Sequence, residues 1–138
     1  TYSGHPLACA AAVATINAME DEGMVANAAR VGEQILGPGL RELAQRHPSV
    51  GEVRGLGVFW AIELVSDPAT REPLAPYGSS SPAMNDVLAA CKAGGLMPFA
   101  NFNRIHVCPP CNVSDVQIAE GLAILDGALE VADRHVVG

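Results

Sequence analysis

The stretch "VGEVRGLGVFWAIELV", residues 50–65, constrains the fold more than any other part of the chain. Two runs rich in β-branched and aromatic residues, 50–54 and 58–65, read as strands. Only Gly55, Leu56 and Gly57 separate them. Closely spaced glycines between strands mark a bulge or a tight bend in a sheet. They also resemble part of a dinucleotide-binding loop. That loop, however, needs a third glycine and a following helix, and here strand follows. A sheet built on such a pair needs helices to cover one face, and the flanking segments supply them.

The first helix is expected to start near Pro6, because proline at the first helical position gives up an N–H that has no partner there. Residues 8–19 are so rich in alanine that burial on several sides is expected, and Gly23 after three acidic residues is a stop. A second helical stretch covers residues 25–46. Val25, Ala28, Ala29, Gly32, Ile35, Leu36, Leu40 and Leu43 form its apolar stripe. Gly37-Pro38-Gly39 interrupts it. Proline removes one helical hydrogen bond and clashes one turn back, so a kink or break is expected, with both halves on one core. Residues 66–82 carry Pro68, Pro73, Pro76, Gly78 and a serine run and read as a long surface loop. The third helix has Ser81 as N-cap and Met84, Val87, Leu88 and Cys91 as its buried face, and ends at Gly94-Gly95. Short strands are expected near residues 96–99 and 104–108. Ser114 and Gln117 form a capping box for the last helix, Val113 and Ile118 a hydrophobic staple. Ile118, Leu122, Leu125 and Leu129 share one face of it. The order α, α, β, β, α, β, β, α gives an α+β fold with the helices on one side of a sheet.

Composition excludes several functions. A chain of 138 residues suits one ordinary domain. The net charge is -7 and no Lys/Arg cluster exists, so neither nucleic acid nor an anionic membrane surface is an expected partner. No apolar run is long enough to span a bilayer. The four cysteines, Cys9, Cys91, Cys108 and Cys111, are too scattered for a disulfide scaffold, which points to a reducing, cytoplasmic setting. The chain contains a single lysine, Lys92.

Several residues could carry chemistry. Thr1, Ser3 and Gly4 before a helix are the parts of an anion or phosphate site, and equally of an ordinary N-cap. Arg54 is either an ion-paired structural arginine or a carboxylate holder. Arg104 and His106, two apart on a strand, share a face that either receives an anion or meets solvent. His106, Cys108 and Cys111, with His5 and Cys9 one helical turn apart, invite a metal or redox reading. Pro109-Pro110 stiffens the Cys–Cys segment and no helix follows directly, so no metal is expected. These cysteines read instead as small buried residues beside a strand end.

Four segments, in order, resemble the C-terminal part of class III aminotransferases, fold type I enzymes that depend on pyridoxal 5'-phosphate. "TYSGHPLACAAAVATI" resembles the family's Thr-x-x-Gly-x-Pro segment before the long interdomain helix. "GEVRGLGVFWAIELV" resembles its Val-Arg-Gly-x-Gly strand pair ending in Glu-Leu. "RIHVCPPCNVS" resembles its strand and Pro-Pro segment, with Cys111 where leucine is usual, and the terminal helix follows. The resemblance implies the small C-terminal domain of a fold type I enzyme, with helices on a small, mainly antiparallel sheet. Residues 1–24 would be the end of the large-domain segment and the interdomain helix, and residues 25–138 the small domain.

The resemblance also implies roles. Thr1 would bind the phosphate of the cofactor held by the neighbouring subunit of a homodimer formed through the large domain. The Schiff-base lysine and the acidic partner of the pyridine nitrogen would stand upstream. Lys92 matches no catalytic motif and reads as a solvated helix C-terminal charge. The chain alone is therefore expected to be inactive. The intact protein would move an amino group from an amine or amino acid to a keto acid by a ping-pong mechanism. Members acting on α-amino acids place a carboxylate-binding arginine three residues before the Pro-Pro pair. His106 stands there, and Arg104 on the same strand face is the candidate substitute. An aminomutase or decarboxylase on the same scaffold, and a non-catalytic binding or structural module, are the alternatives.

Overall fold

Glycine and proline set the bends of the N-terminal half, and a computed structural model shows how over residues 3–137; Thr1, Tyr2 and Gly138 lie outside the described residues. Helix α1 spans Pro6–Asp21. His5 caps it, its Nδ1 accepting from the Ala8 N–H at 3.4 Å. None of its residues is buried, which corrects the expectation of burial on several sides. Alanine-rich surface is covered only where a partner exists. Among the described residues, the start of the next helix is its one substantial neighbour.

Gly23, at φ +59°, turns the chain into α2 (Met24–Val31). Val25 is 68% exposed, so the buried stripe begins later than its spacing suggested, at Val31. The expected interruption at Gly37-Pro38-Gly39 is not a break. A π-helical turn over Gly32–Leu36 leads straight into α3 (Gly37–Arg46). Pro38 has no N–H to give the carbonyl one turn back. The wider turn absorbs the loss, the Gly37 N–H reaching five residues back to the Gly32 carbonyl.

Strands β1 (Val50–Leu56) and β2 (Phe59–Asp67) pair antiparallel, with Leu56 opposite Phe59. The bend is therefore Gly57-Val58, with Gly57 at φ +55°. A Cβ on Gly32 would lie 2.0 Å from the Gly57 carbonyl oxygen, so helix and hairpin meet backbone to backbone. A two-residue strand, β3 (Glu72–Pro73), pairs with the end of β2, and Leu74 and Ala75 behind it are buried. The stretch read as a plain surface loop thus dips into the core at its middle. Helix α4 (Pro82–Ala93) has Ser81 as N-cap, accepting from the Met84 N–H and donating to the Leu74 carbonyl. It buries Met84, Val87 and Cys91 and leaves Leu88 half-buried.

Strand β4 (Phe99–Asn101) starts beyond the expected position, because Pro98 has no N–H for the ladder. It pairs with β5 (Arg104–Val107). Helix α5 (Asp115–Asp133) carries both bonds of the capping box. The sheet order is β1-β2-β5-β4, antiparallel throughout, with β3 at the end of β2. Trp60, Ile62, Leu64 and Ile105 face inward onto Leu36, Leu40, Leu125 and Leu129 of the helices. This is the α+β arrangement expected, with its helices on one face.

One polar cluster closes the helical layer. His47, 6% exposed, holds Asp133 through Nδ1 and Asp126 through Nε2, both at 2.7 Å. Ser49 donates to Asp133 through its hydroxyl and its backbone N–H.

Candidate functional site

The face of the sheet away from the helices carries the candidate residues. The period of two along β5 turns Ile105 into the core and Arg104 and His106 outward together, as the sequence spacing required. Strand register then builds the rest. One row across the sheet reads Arg54, Ala61, His106, Phe99, and the next reads Glu52, Glu63, Arg104, Asn101. The Phe99 and His106 rings are 5.3 Å apart, and Phe59 and Phe99 are each 68% exposed.

Charge on this face is unevenly shared. Arg54 hydrogen-bonds Glu63 and lies 3.4 Å from Glu52, so it is ion-paired within the sheet. The hydrogen bond from Arg54 holds the Glu63 carboxyl below its ordinary range, against some desolvation, with the charges of Arg54, Arg104 and Arg71 adding to it. Arg104, opposite Glu63 in register, makes no ion pair within 4.0 Å among the described residues. A guanidinium on the same strand face as an imidazole, with the exposed Phe99 ring against that imidazole, can take a carboxylate with an apolar body.

Beside the face, under the 96–99 segment, lies a cleft of about 280 Å³ between β5 and α5, whose lining includes Phe99, His106, Val107, Pro109, Ile118 and Leu122. The segment after β5 that closes it is pinned to α2. The Asn27 amide donates to the carbonyls of Cys111 at 2.8 Å and Val113 at 3.0 Å. Arg30 orients that amide from its other side, bonding Oδ1 at 2.9 Å, and forks onto Asp115 at 2.7 and 3.2 Å. Asn112 reaches Glu22 at the end of α1. Neither Asn27 nor Arg30 stands out in the sequence. Each is a polar residue in a helical stretch, and the partners lie over 80 residues away.

The other candidates separate. Cys9, Cys108 and Cys111 are exposed and only Cys91 is buried, where desolvation pushes its thiol pKa up. The reading of Cys108 and Cys111 as buried cysteines is thereby corrected: the Pro109-Pro110 turn carries both into solvent. Among the described residues no group of three or more His, Cys, Asp or Glu gathers as metal ligands. Lys92 is exposed in the last turn of α4, in the helical layer, across the sheet from Arg104. No described lysine therefore faces the Arg104–His106 surface, and these residues alone do not fit pyridoxal phosphate. Thr1, the proposed phosphate contact, lies outside the described residues. No described helix is long and apolar enough to cross a membrane.

Residues 1–129 match the family described as aminotransferase class-III. The chain belongs to the class III aminotransferases. An ethanolamine-phosphate phospho-lyase homolog of Caenorhabditis elegans is 34% identical over 137 residues, covering 97% of this chain and 28% of its own length. The 4-aminobutyrate aminotransferase of Escherichia coli (strain K12) is 34% identical over 139 residues, covering 97% of this chain and 30% of its own. The taurine:2-oxoglutarate aminotransferase of Bifidobacterium kashiwanohense was solved with pyridoxal phosphate and glutamate. It superposes with a TM-score of 0.90 at 35% identity, over 99% of this chain and 30% of that one. This class III chain therefore spans about 30% of the length of such relatives, and its fold matches their C-terminal domain.

Proposed function

We propose that this chain is the C-terminal domain of a subunit that moves an amino group from an amine or amino acid to a keto acid with pyridoxal phosphate. The supporting observation is the fit of 99% of the chain onto an aminotransferase solved with that cofactor and glutamate. When bound, the cofactor supplies an electron sink for the reacting carbon. The chain's own contribution is recognition. Arg104 takes the substrate carboxylate, His106 beside it donates a hydrogen bond, and Phe99 and Phe59 exclude water from the substrate body. Thr1 holds the cofactor phosphate of the neighbouring subunit in a cytoplasmic homodimer formed through the large domain. The Schiff-base lysine belongs to the rest of the subunit, so the 138 residues alone are inactive. Residues 1–24 act as the interdomain helix and 25–138 as the small domain.

Assay of the intact subunit with pyruvate or 2-oxoglutarate as acceptor tests this. Amino transfer is expected, with Arg104→Ala raising KM for the acceptor about tenfold, the loss of one charge-assisted hydrogen bond. An unchanged KM would remove Arg104 from the substrate site. The likeness to a protein named as a phospho-lyase favours a second reading, an elimination on the same scaffold. An aminomutase or decarboxylase is a further variant. Product formed in the absence of any keto acid would move the assignment to one of these.

A further inference from the structure

We infer that Asn27 and Arg30 are positioning residues for the substrate face, holding the segment after β5 in register with Arg104 and His106. The inference rests on the substrate role of Arg104 proposed above. Residues 108–114 leave the sheet after Val107 and, among the described residues, have two backbone anchors of their own. These are a Val113 N–H bond to Pro110 and the cap of α5. Two prolines remove two donors from the segment, so it cannot extend the ladder and must be held from outside. Asn27 does this. Its single amide nitrogen bridges the Cys111 and Val113 carbonyls, one on each side of Asn112.

The amide can face only one way. Arg30, which has no acceptor atoms, bonds Oδ1, and that fixes Nδ2 toward the two carbonyls. The same guanidinium forks onto Asp115, the first residue of α5, and the planar two-bond geometry sets direction as well as contact. Asn112 adds a bond to Glu22. The junction of α1 and α2 is thus tied to the strand that presents Arg104. A hydrogen-bonded latch of this kind is felt as substrate geometry, because a displaced Arg104 holds the carboxylate less well.

The test uses the intact subunit. Asn27→Ala removes the bridge. Asn27→Asp keeps the size but sets a carboxylate oxygen against two carbonyls. Both are expected to raise KM for the keto-acid acceptor about tenfold with kcat changed less than about twofold, and to speed hydrogen exchange in residues 108–114. In an Arg104→Ala background, Asn27→Ala should add no further rise in KM, because the group being positioned is gone. Arg30→Ala, which leaves Asn27 in place, should act in the same direction and serves if the Asn27 variants fold poorly. Faster exchange with unchanged KM would overturn the inference, as would unchanged exchange. If Arg104→Ala itself leaves KM unchanged, the substrate reading fails and takes the inference with it. If Arg104→Ala raises KM and the latch variants do not, the inference alone fails.

Discussion

His47 illustrates what single residues do in this chain. Burial by itself would push its imidazole pKa down, but hydrogen bonds to Asp126 and Asp133 and their charges outweigh it and raise the pKa above the ordinary value. The bond from His47 likewise lowers Asp126, against desolvation, with Arg46 helping. A raised histidine contributes stability that is whole below its unfolded pKa of about 6.5 and is lost as pH rises through the folded value. A lowered aspartate contributes above about pH 3.9 and is lost in acid. The cluster therefore stabilises most between about pH 4 and 6.5. Denaturant midpoints should fall from pH 6 to pH 9, and His47→Gln should remove that fall; a pH-independent midpoint in the parent chain would contradict it. With the Gly57 backbone in the place of a Cβ on Gly32, Gly32→Ala should destabilise by about 3 kcal/mol in urea unfolding. Both roles are illegible in the sequence, where His47 merely follows a helical stretch and Gly32 merely fills a stripe. Their partners lie between 25 and 86 residues away.

Elements were legible in proportion to how local their signals are. Pro6, Ser81, Gly94-Gly95 and the Ser114–Gln117 box mark helix ends through bonds made within a few residues, and all stand where the spacing placed them. Ser114→Ala should lower stability by about 1 kcal/mol, read from the thermal midpoint, since it removes the acceptor of the Gln117 N–H at the start of α5. No change would mean that solvent replaces the cap. Strand β3 and the start of β4 were missed because two or three residues carry no period, and pairing with β2 and β5 decides them. The π-turn was half-legible. Pro38 shows that a bond must be lost, but only a continuous buried face, Leu36 to Leu43, explains why the helix widens there instead of ending.

For the whole molecule, the sheet and its helical layer follow from the strand pair at residues 50–65, while the candidate site follows only in part. Arg104 and His106 were placed together by strand period alone. Phe99 joined them through register, and Asn27 reaches the segment after β5 through bonds with no sequence signal. Helix α1 buries none of its residues. Its alanines read as buried, yet burial belongs to a partner surface, and the described residues supply almost none. Family membership and the span of about 30% of the relatives' length give that exposure its meaning under the proposal: the Schiff-base lysine and the cover for α1 lie in the rest of the subunit. The direct test is mass spectrometry of the 138-residue chain after stoichiometric pyridoxal phosphate and borohydride reduction, beside the intact subunit. No stoichiometric adduct is expected on Lys92 in the chain, and full labelling of an upstream lysine is expected in the subunit. A full-occupancy adduct on Lys92 would contradict the proposal, because the chain would then hold the cofactor by itself.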